Sequence, residues 1–197
     1  GLPARTLLRA SGFGAEATTE VVTDGQVVET HHGNPLDFIA AYQQRLKVAL
    51  VPGLPRFCGG LAGYFGYDAV RYIEPKLEKT CPPDGLDCPD ILLLQCEELA
   101  VIDNLSGKLY LIVYANPGEA EAYTRAKKRL RQLKDQLRYS VSAPQIRGGD
   151  SHPAQRSFAK PDYLAAVQKA KDLIAAGDFM QVQVGQRIHK RYTESPL

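Results

Sequence analysis

The chain has 197 residues, 44% hydrophobic and 23% charged, with 24 basic and 22 acidic side chains for a net charge of +2. That length buries a substantial core and suits one large domain, or one domain with part of another. The near-neutral balance argues against nucleic acid as the main partner. No apolar run approaches the ~18 residues of a membrane-spanning helix, the longest compact one being 91-ILLL-94.

The opening 1-GLPARTLLRA-10 has neither the basic start nor the apolar stretch of a signal peptide. It lacks an initiator Met and begins in strand-like sequence, and 192-YTESPL-197 stops without a cap. The expectation is a cytoplasmic protein of which this chain is a piece. Cys58, Cys81, Cys88 and Cys96 are spaced 23, 7 and 8 residues apart, so none forms the C-x-x-C pair of a zinc or redox site. Cys81 and Cys88 could bridge their Pro-rich loop, but reduced thiols are the expectation.

In chain order, 5-RTLLRA-10 reads as a short strand. The stretch 18-TTEVVTDGQVVET-30 reads as a hairpin, because Asp24-Gly25 supplies the two positive-φ positions of a type I′ turn. His31-His32-Gly33 is expected to break the second strand. A helix then starts at Asn34, which caps well, with Pro35 at its first position and Asp37 in its first turn. Ile39, Tyr42, Leu46 and Ala49 repeat along one face, and Pro52 and Pro55 close the helix.

After the glycine-rich stretch 59-GGLAGYFGYDAVRYIEP-75, residues 75–90 read as a loop. Residues 91–103 and 108–115 read as two long strands joined at Asn104–Gly107, a second hairpin. Asn116, Pro117 and Glu119 repeat the capping formula, and the helix they open carries Tyr123, Ala126, Leu130, Leu133 and Leu137 as one apolar stripe. Its other faces hold Arg125, Lys127, Lys128, Arg129, Arg131, Lys134 and Arg138. A solvated outer face is the expectation there, because no aromatics are interleaved for base stacking.

Residues 140–162 are rich in Gly, Pro and Ser, and 140–158 is the expected linker. A third helix spans about 161–176, burying Tyr163 or Leu164 with Val167, Ala170 and Ile174, and ends at Gly177. Residues 178–192 read as a strand. Met180, Val182, Val184 and Ile188 share its buried face, and Gln181, Gln183, Gly185, Arg187 and His189 share its wet face. Antiparallel hairpins with helices between them give an α+β fold, antiparallel sheets with helices packed on them.

Motifs for nucleotide triphosphates (G-x-x-x-x-G-K-[ST]), catalytic zinc (H-E-x-x-H) and a serine nucleophile (G-x-S-x-G) are absent. His31 and His32 are neighbours whose side chains would diverge on a strand, so two ordinary loop histidines are expected rather than a metal site. The glycine-rich stretch reads G-G-x-x-G-x-x-G with bulky Tyr64 and Phe65 inside it, which does not fit the dinucleotide fingerprint. Dense glycine here suits strands that bulge, turn or admit another backbone, so scaffold is the expectation.

The string 57-FCGGLAGYFGYDAVRYIEPKL-77 resembles the N-terminal-domain signature of the large, chorismate-binding subunit of anthranilate synthase. The resemblance extends to 2-LPARTLLR-9, 89-PDILLL-94, 98-ELAVIDN-104 and 162-DYLAAVQKAKDLIAAGDFMQVQVGQR-187. The aminodeoxychorismate synthase large subunit carries a related string, but Ala62-Gly63-Tyr64 and Ala69-Val70-Arg71 look more like the anthranilate enzyme. The resemblance implies a scaffold and regulatory domain at 1–139 and a catalytic domain beginning at 159–197. It further implies conversion of chorismate and ammonia to anthranilate and pyruvate in tryptophan biosynthesis. Mg²⁺ is the implied cofactor, L-tryptophan the feedback inhibitor, and a glutamine amidotransferase subunit the partner and ammonia source.

Related isochorismate and salicylate synthases have a lysine where Gln181 sits, and that lysine activates the attacking water. A lysine of lowered pKa can act as a base towards water, whereas a glutamine amide cannot. Gln181 is therefore the candidate site-lining residue, favouring amination over hydroxylation; the other reading is an ordinary solvated strand residue. The family's magnesium ligands and acid/base residues match nothing in these 197 residues, so the chain by itself is expected to be inactive. A non-catalytic amino-acid-binding regulatory module is the alternative outside enzymes. Self-association through an exposed strand at 179–190 is expected, because open edges seek partners.

Overall fold

The computed structural model describes residues 4–81, 85–140 and 152–192. They form two compact units, Gly1–Tyr139 and Ser140–Leu197. Within the expected linker, residues 141–151 lie outside the described residues.

The first unit is built on a five-stranded antiparallel sheet. Its strands are β1 (Thr6–Ser11), β2 (Thr18–Thr23), β3 (Gln26–His32), β4 (Gly60–Phe65) and β5 (Ile91–Cys96), in the order β3-β2-β1-β5-β4. The β2–β3 turn takes the expected form, with φ of 51° at Asp24 and 82° at Gly25. Arg5 reinforces it by donating to both Asp24 carboxylate oxygens, at 3.0 and 2.6 Å.

The helix α1 (Pro35–Arg45) covers one face of this sheet. Asn34 caps it, its Oδ1 accepting from the Leu36 amide at 3.0 Å, and Pro35 occupies the first turn. The core face carries Leu8, Ala10, Val21, Ile91 and Leu93 from the strands, packed with Phe38, Ile39 and Tyr42 of α1 and with Ala69 and Tyr72. Thr19 lies among them fully buried, and its hydroxyl has no hydrogen-bond partner among the described residues.

Several elements differ from the sequence reading. The helix α1 ends at Arg45, before Ala49, and Val48, Leu50 and Val51 beyond it are exposed. A helix survives by packing its apolar face, and those residues find nothing to pack on. Histidines 31 and 32 continue β3 instead of breaking it; His31 stacks on Phe38 at 4.8 Å while His32 is exposed. A 3₁₀ turn at Tyr67–Tyr72 lies within the second half of the glycine-rich stretch, and another at Pro75–Thr80 opens the loop after it.

The long strand expected over 91–103 is two strands that break at Glu97 and enter different sheets. The run 91-ILLL-94 is apolar throughout because Ile91 and Leu93 face the core while Leu92 and Leu94 stand on the opposite face. After Glu97, β6 (Glu98–Asp103) pairs, among the described residues, only with β7 (Lys108–Val113), from Glu98↔Val113 to Asp103↔Lys108.

The helix α2 (Ala122–Gln136) packs against β7, burying Ala122, Ala126 and Leu133. It starts later than expected, because Asn116 caps a local turn by accepting from the Gly118 amide at 3.1 Å. Glu121, at φ 55°, precedes the helix itself. Tyr123 and Leu137, expected on the buried stripe, are 71% and 57% exposed.

The second unit contains β8 (Gln155–Arg156), α3 (Lys160–Ala176) and β9 (Ile188–His189), with β8 and β9 paired antiparallel. The more covered face of α3 carries Tyr163, Val167, Ala170 and Leu173, whereas Ile174 and Leu164 are exposed. The expected strand over 178–192 shrinks to Ile188–His189. A strand exists through its ladder, and the only partner among the described residues is the two-residue β8.

Candidate functional site

The segment that follows α3 is held at both ends. Gly177, at φ 85°, closes the helix, with its own amide donating to Ile174 O and the Asp178 amide to Leu173 O, both at 3.1 Å. Further along, the Tyr163 hydroxyl donates to Val184 O at 3.0 Å, and Phe158 meets Tyr163 edge-on at 6.2 Å. The Arg187 amide donates to Ser157 Oγ, and the Ser157 amide to Arg187 O, both at 3.0 Å. These bonds pin the segment 178–187, which carries Gln181.

Gln181 is exposed, as are its neighbours Met180, Val182 and Gln183. Its neutral amide offers two donors and one acceptor oxygen and no basic nitrogen. The structure thus presents Gln181 to solvent in the second unit. Among the described residues no group of three or more His, Cys, Asp or Glu side chains could hold a metal ion.

The glycine-rich stretch belongs to the sheet. Gly63 lies so close to β5 that a Cβ would stand 1.9 Å from Leu92 O. The Gly66 amide donates to Asp90 O at 2.7 Å, and Tyr64 donates to Pro89 O at 2.9 Å. These contacts fix β4 and the turn after it by close backbone approach. The cysteines Cys58, Cys81, Cys88 and Cys96 are all free, and burial pushes the Cys96 thiol pKa up.

Two arrangements were not singled out in the sequence. Arg71 is almost enclosed: its guanidinium bonds Asp68 at 2.8 Å, Leu77 O and Thr80, and lies 6.0 Å from the Phe13 ring centroid. It locks the two 3₁₀ turns together. The three-residue spacing in 68-DAVR-71 was the available signal. The second is a Glu29–Arg45 pair at 2.7 and 3.0 Å, with Arg45 over the rings of Phe38 and Tyr42 at 5.5 and 5.2 Å. This hydrogen-bonded pairing holds the Glu29 carboxyl below its usual pKa.

The family described as chorismate binding enzyme matches residues 4–197. The chain is 46% identical over 200 residues to anthranilate synthase component 1 of Neisseria meningitidis serogroup B, and 44% identical over 208 residues to that of Pseudomonas aeruginosa. Both matches cover 100% of this chain and 40% of the relative, so the chain spans about 40% of the length of these curated relatives. The crystal structure of anthranilate synthase component I from Streptococcus pneumoniae TIGR4 is similar with a TM-score of 0.60 at 26% identity, over 90% of this chain and 40% of that one. One family accounts for the sequence almost from end to end and its solved relative for the fold: the chain belongs to the chorismate binding enzymes.

Proposed function

We propose that the chain is part of an anthranilate synthase large subunit, which converts chorismate and ammonia to anthranilate and pyruvate in tryptophan biosynthesis. The observation that carries this reading is the 46% identity to a relative named anthranilate synthase component 1, aligned along the whole chain. The first unit serves as scaffold and regulatory domain for L-tryptophan feedback, and the second as the start of the catalytic domain. Ammonia comes from a glutamine amidotransferase subunit, and the setting is the cytoplasm.

Mg²⁺ belongs to this reading as the ion that binds and polarises the acidic substrate. The described residues do not fit it, for want of any suitable acidic or histidine cluster, and none of them is given a step that passes through it. The chain alone is inactive on this reading. Incubation with chorismate, ammonia and Mg²⁺, followed by anthranilate fluorescence, tests both halves. The chain alone gives no product and the longer polypeptide gives anthranilate; a longer polypeptide that forms none overturns the assignment.

Gln181 lines the site in this proposal, where an amide leaves incoming ammonia as the only nucleophile. Gln181→Lys in the longer polypeptide lowers ammonia-dependent anthranilate formation about tenfold or more. An unchanged rate removes Gln181 from the site. Self-association is carried by the exposed Met180, Val182 and Ile188 within 179–190. Light scattering that finds only monomer at high concentration counts against it.

A further inference from the structure

The helix α2 concentrates the positive charge of the chain. Of its 24 basic and 22 acidic residues, residues 119–138 hold seven and three, which leaves 17 and 19 elsewhere. The cations are sorted by face. Arg129, beside the hairpin, bonds both Glu98 oxygens at 2.8 and 3.0 Å, and Arg125 is paired with Glu119. Lys127, Arg131 and Lys134 stand on the opposite face, with Lys128 at its border beside Arg125, and Arg138 follows just past the helix. All five are exposed and none has an ion-pair partner among the described residues. Asp135 is the one acidic residue between them.

A shallow groove runs along this face, lined by Tyr123, Thr124, Lys127, Lys128 and Arg131. The Lys127 ammonium lies 5.3 Å from the Tyr123 ring centroid, and the ring is 71% exposed. An exposed tyrosine flanked by uncompensated cations combines an apolar anchor with a steering charge, as protein interfaces do. The helix propensity of alternating Lys, Arg, Gln and Ala residues would be served equally well by mixed charges. Mixed charges would also avoid the i,i+4 repulsion of Lys127 with Arg131 and of Lys134 with Arg138.

We propose that the outward face of α2 is a docking surface for an acidic protein surface of about one helix length. From Lys127 to Arg138 the stripe covers about 16 Å at the α-helical rise. A nucleic acid fits less well, because a duplex would extend past the stripe towards a remainder of the chain in which acidic residues outnumber basic ones. It would also find one exposed aromatic on this face in place of a row of stacking platforms.

The test uses the whole chain and a fluorescein-labelled alanine-based helical peptide with glutamates along one face, read by fluorescence anisotropy at low and at physiological salt. Binding is expected at low salt and weakens as salt screens the charges. The combined K127E, R131E and K134E variant is expected to weaken binding about tenfold or more. Reversing Lys47 and Lys76, which lie off this helix, leaves it unchanged. Circular dichroism on both proteins, and a parallel variant with glutamine at the same three positions, separate loss of docking from loss of the helix. Equal weakening by the Lys47 and Lys76 reversal, no binding at low salt, or tighter binding of a short DNA duplex than of the peptide would each overturn the proposal.

Discussion

Tyr114, at the end of β7, donates its phenolic hydrogen to the Cys58 carbonyl oxygen at 2.8 Å. One hydrogen bond thereby ties the small hairpin sheet to the entrance of the glycine-rich strand in the five-stranded sheet. The next residue, Gly59, leaves room for the ring: a Cβ there would lie 2.4 Å from the Tyr114 oxygen and 2.7 Å from its Cζ. Tyr114→Phe removes the bond and keeps the ring, so it is expected to cost about 1 kcal/mol. Gly59→Ala forces the ring out and costs about 2 kcal/mol. Urea unfolding of the two variants checks the order, and an equal or reversed cost would show that the hydroxyl, not the space, holds the sheets together.

Gly63 makes a stricter demand, since the atom facing it is backbone. An alanine methyl there would stand 1.9 Å from Leu92 O and 2.9 Å from Leu93 Cα, and no side-chain rotation relieves the contact. Gly63→Ala is expected to part β4 from β5 and to destabilise the unit by about 3 kcal/mol. Hydrogen exchange should rise across Gly60–Phe65 first, because β4 is an edge strand with one neighbour. Unchanged exchange there would mean that the β4 backbone can shift sideways.

What could be read from the sequence was whatever is decided locally. The Asp24-Gly25 turn depends on two positive φ values, and the start of α1 on Asn34 and Pro35; both stand as expected. The glycines at 59–66 marked close backbone approach, though nothing local said that Leu92 O and the Tyr114 ring were the neighbours. The errors fall where distant packing decides. Glu97 divides a continuous strand pattern because its two halves have different partners, β1 and β4 on one side and β7 on the other. Residues 178–187 alternate like a strand but lack a ladder. Gln181 was singled out only through the family resemblance, since an exposed glutamine carries no chemical signature of its own.

The buried Thr19 hydroxyl offers a gain in stability. It is 0% exposed and unpartnered among the described residues, so folding strips its water without replacing the hydrogen bonds. Thr19→Val keeps the β-branched shape that β2 favours and puts a methyl group beside the cluster of Leu8 and Phe38. Stability is expected to rise by about 1 kcal/mol, read as a higher urea midpoint at unchanged slope. A lower midpoint would mean that a buried water satisfies Thr19.

Tyr72 couples the same core to pH. Its hydroxyl donates to Asp90 Oδ2 at 3.2 Å, on the ring that packs against Phe13 at 5.1 Å. Burial, and then the Asp90 carboxylate, raise the Tyr72 pKa well above its ordinary 10.0. The folded state thus holds the phenol proton more tightly than the unfolded chain does. The stability that this confers is whole below pH 10, the unfolded value, and is lost as the pH climbs from there towards the raised folded value. Tyr72→Phe is expected to cost about 2 kcal/mol at neutral pH, where a hydrogen bond to a charged group is lost. Urea unfolding at a series of alkaline pH values should show the gap between the two proteins constant up to pH 10 and narrowing above it. The two proteins share every other ionisable side chain, so the difference isolates Tyr72. A gap that stays constant into the alkaline range would mean that Tyr72 ionises as readily in the folded protein as in the unfolded chain.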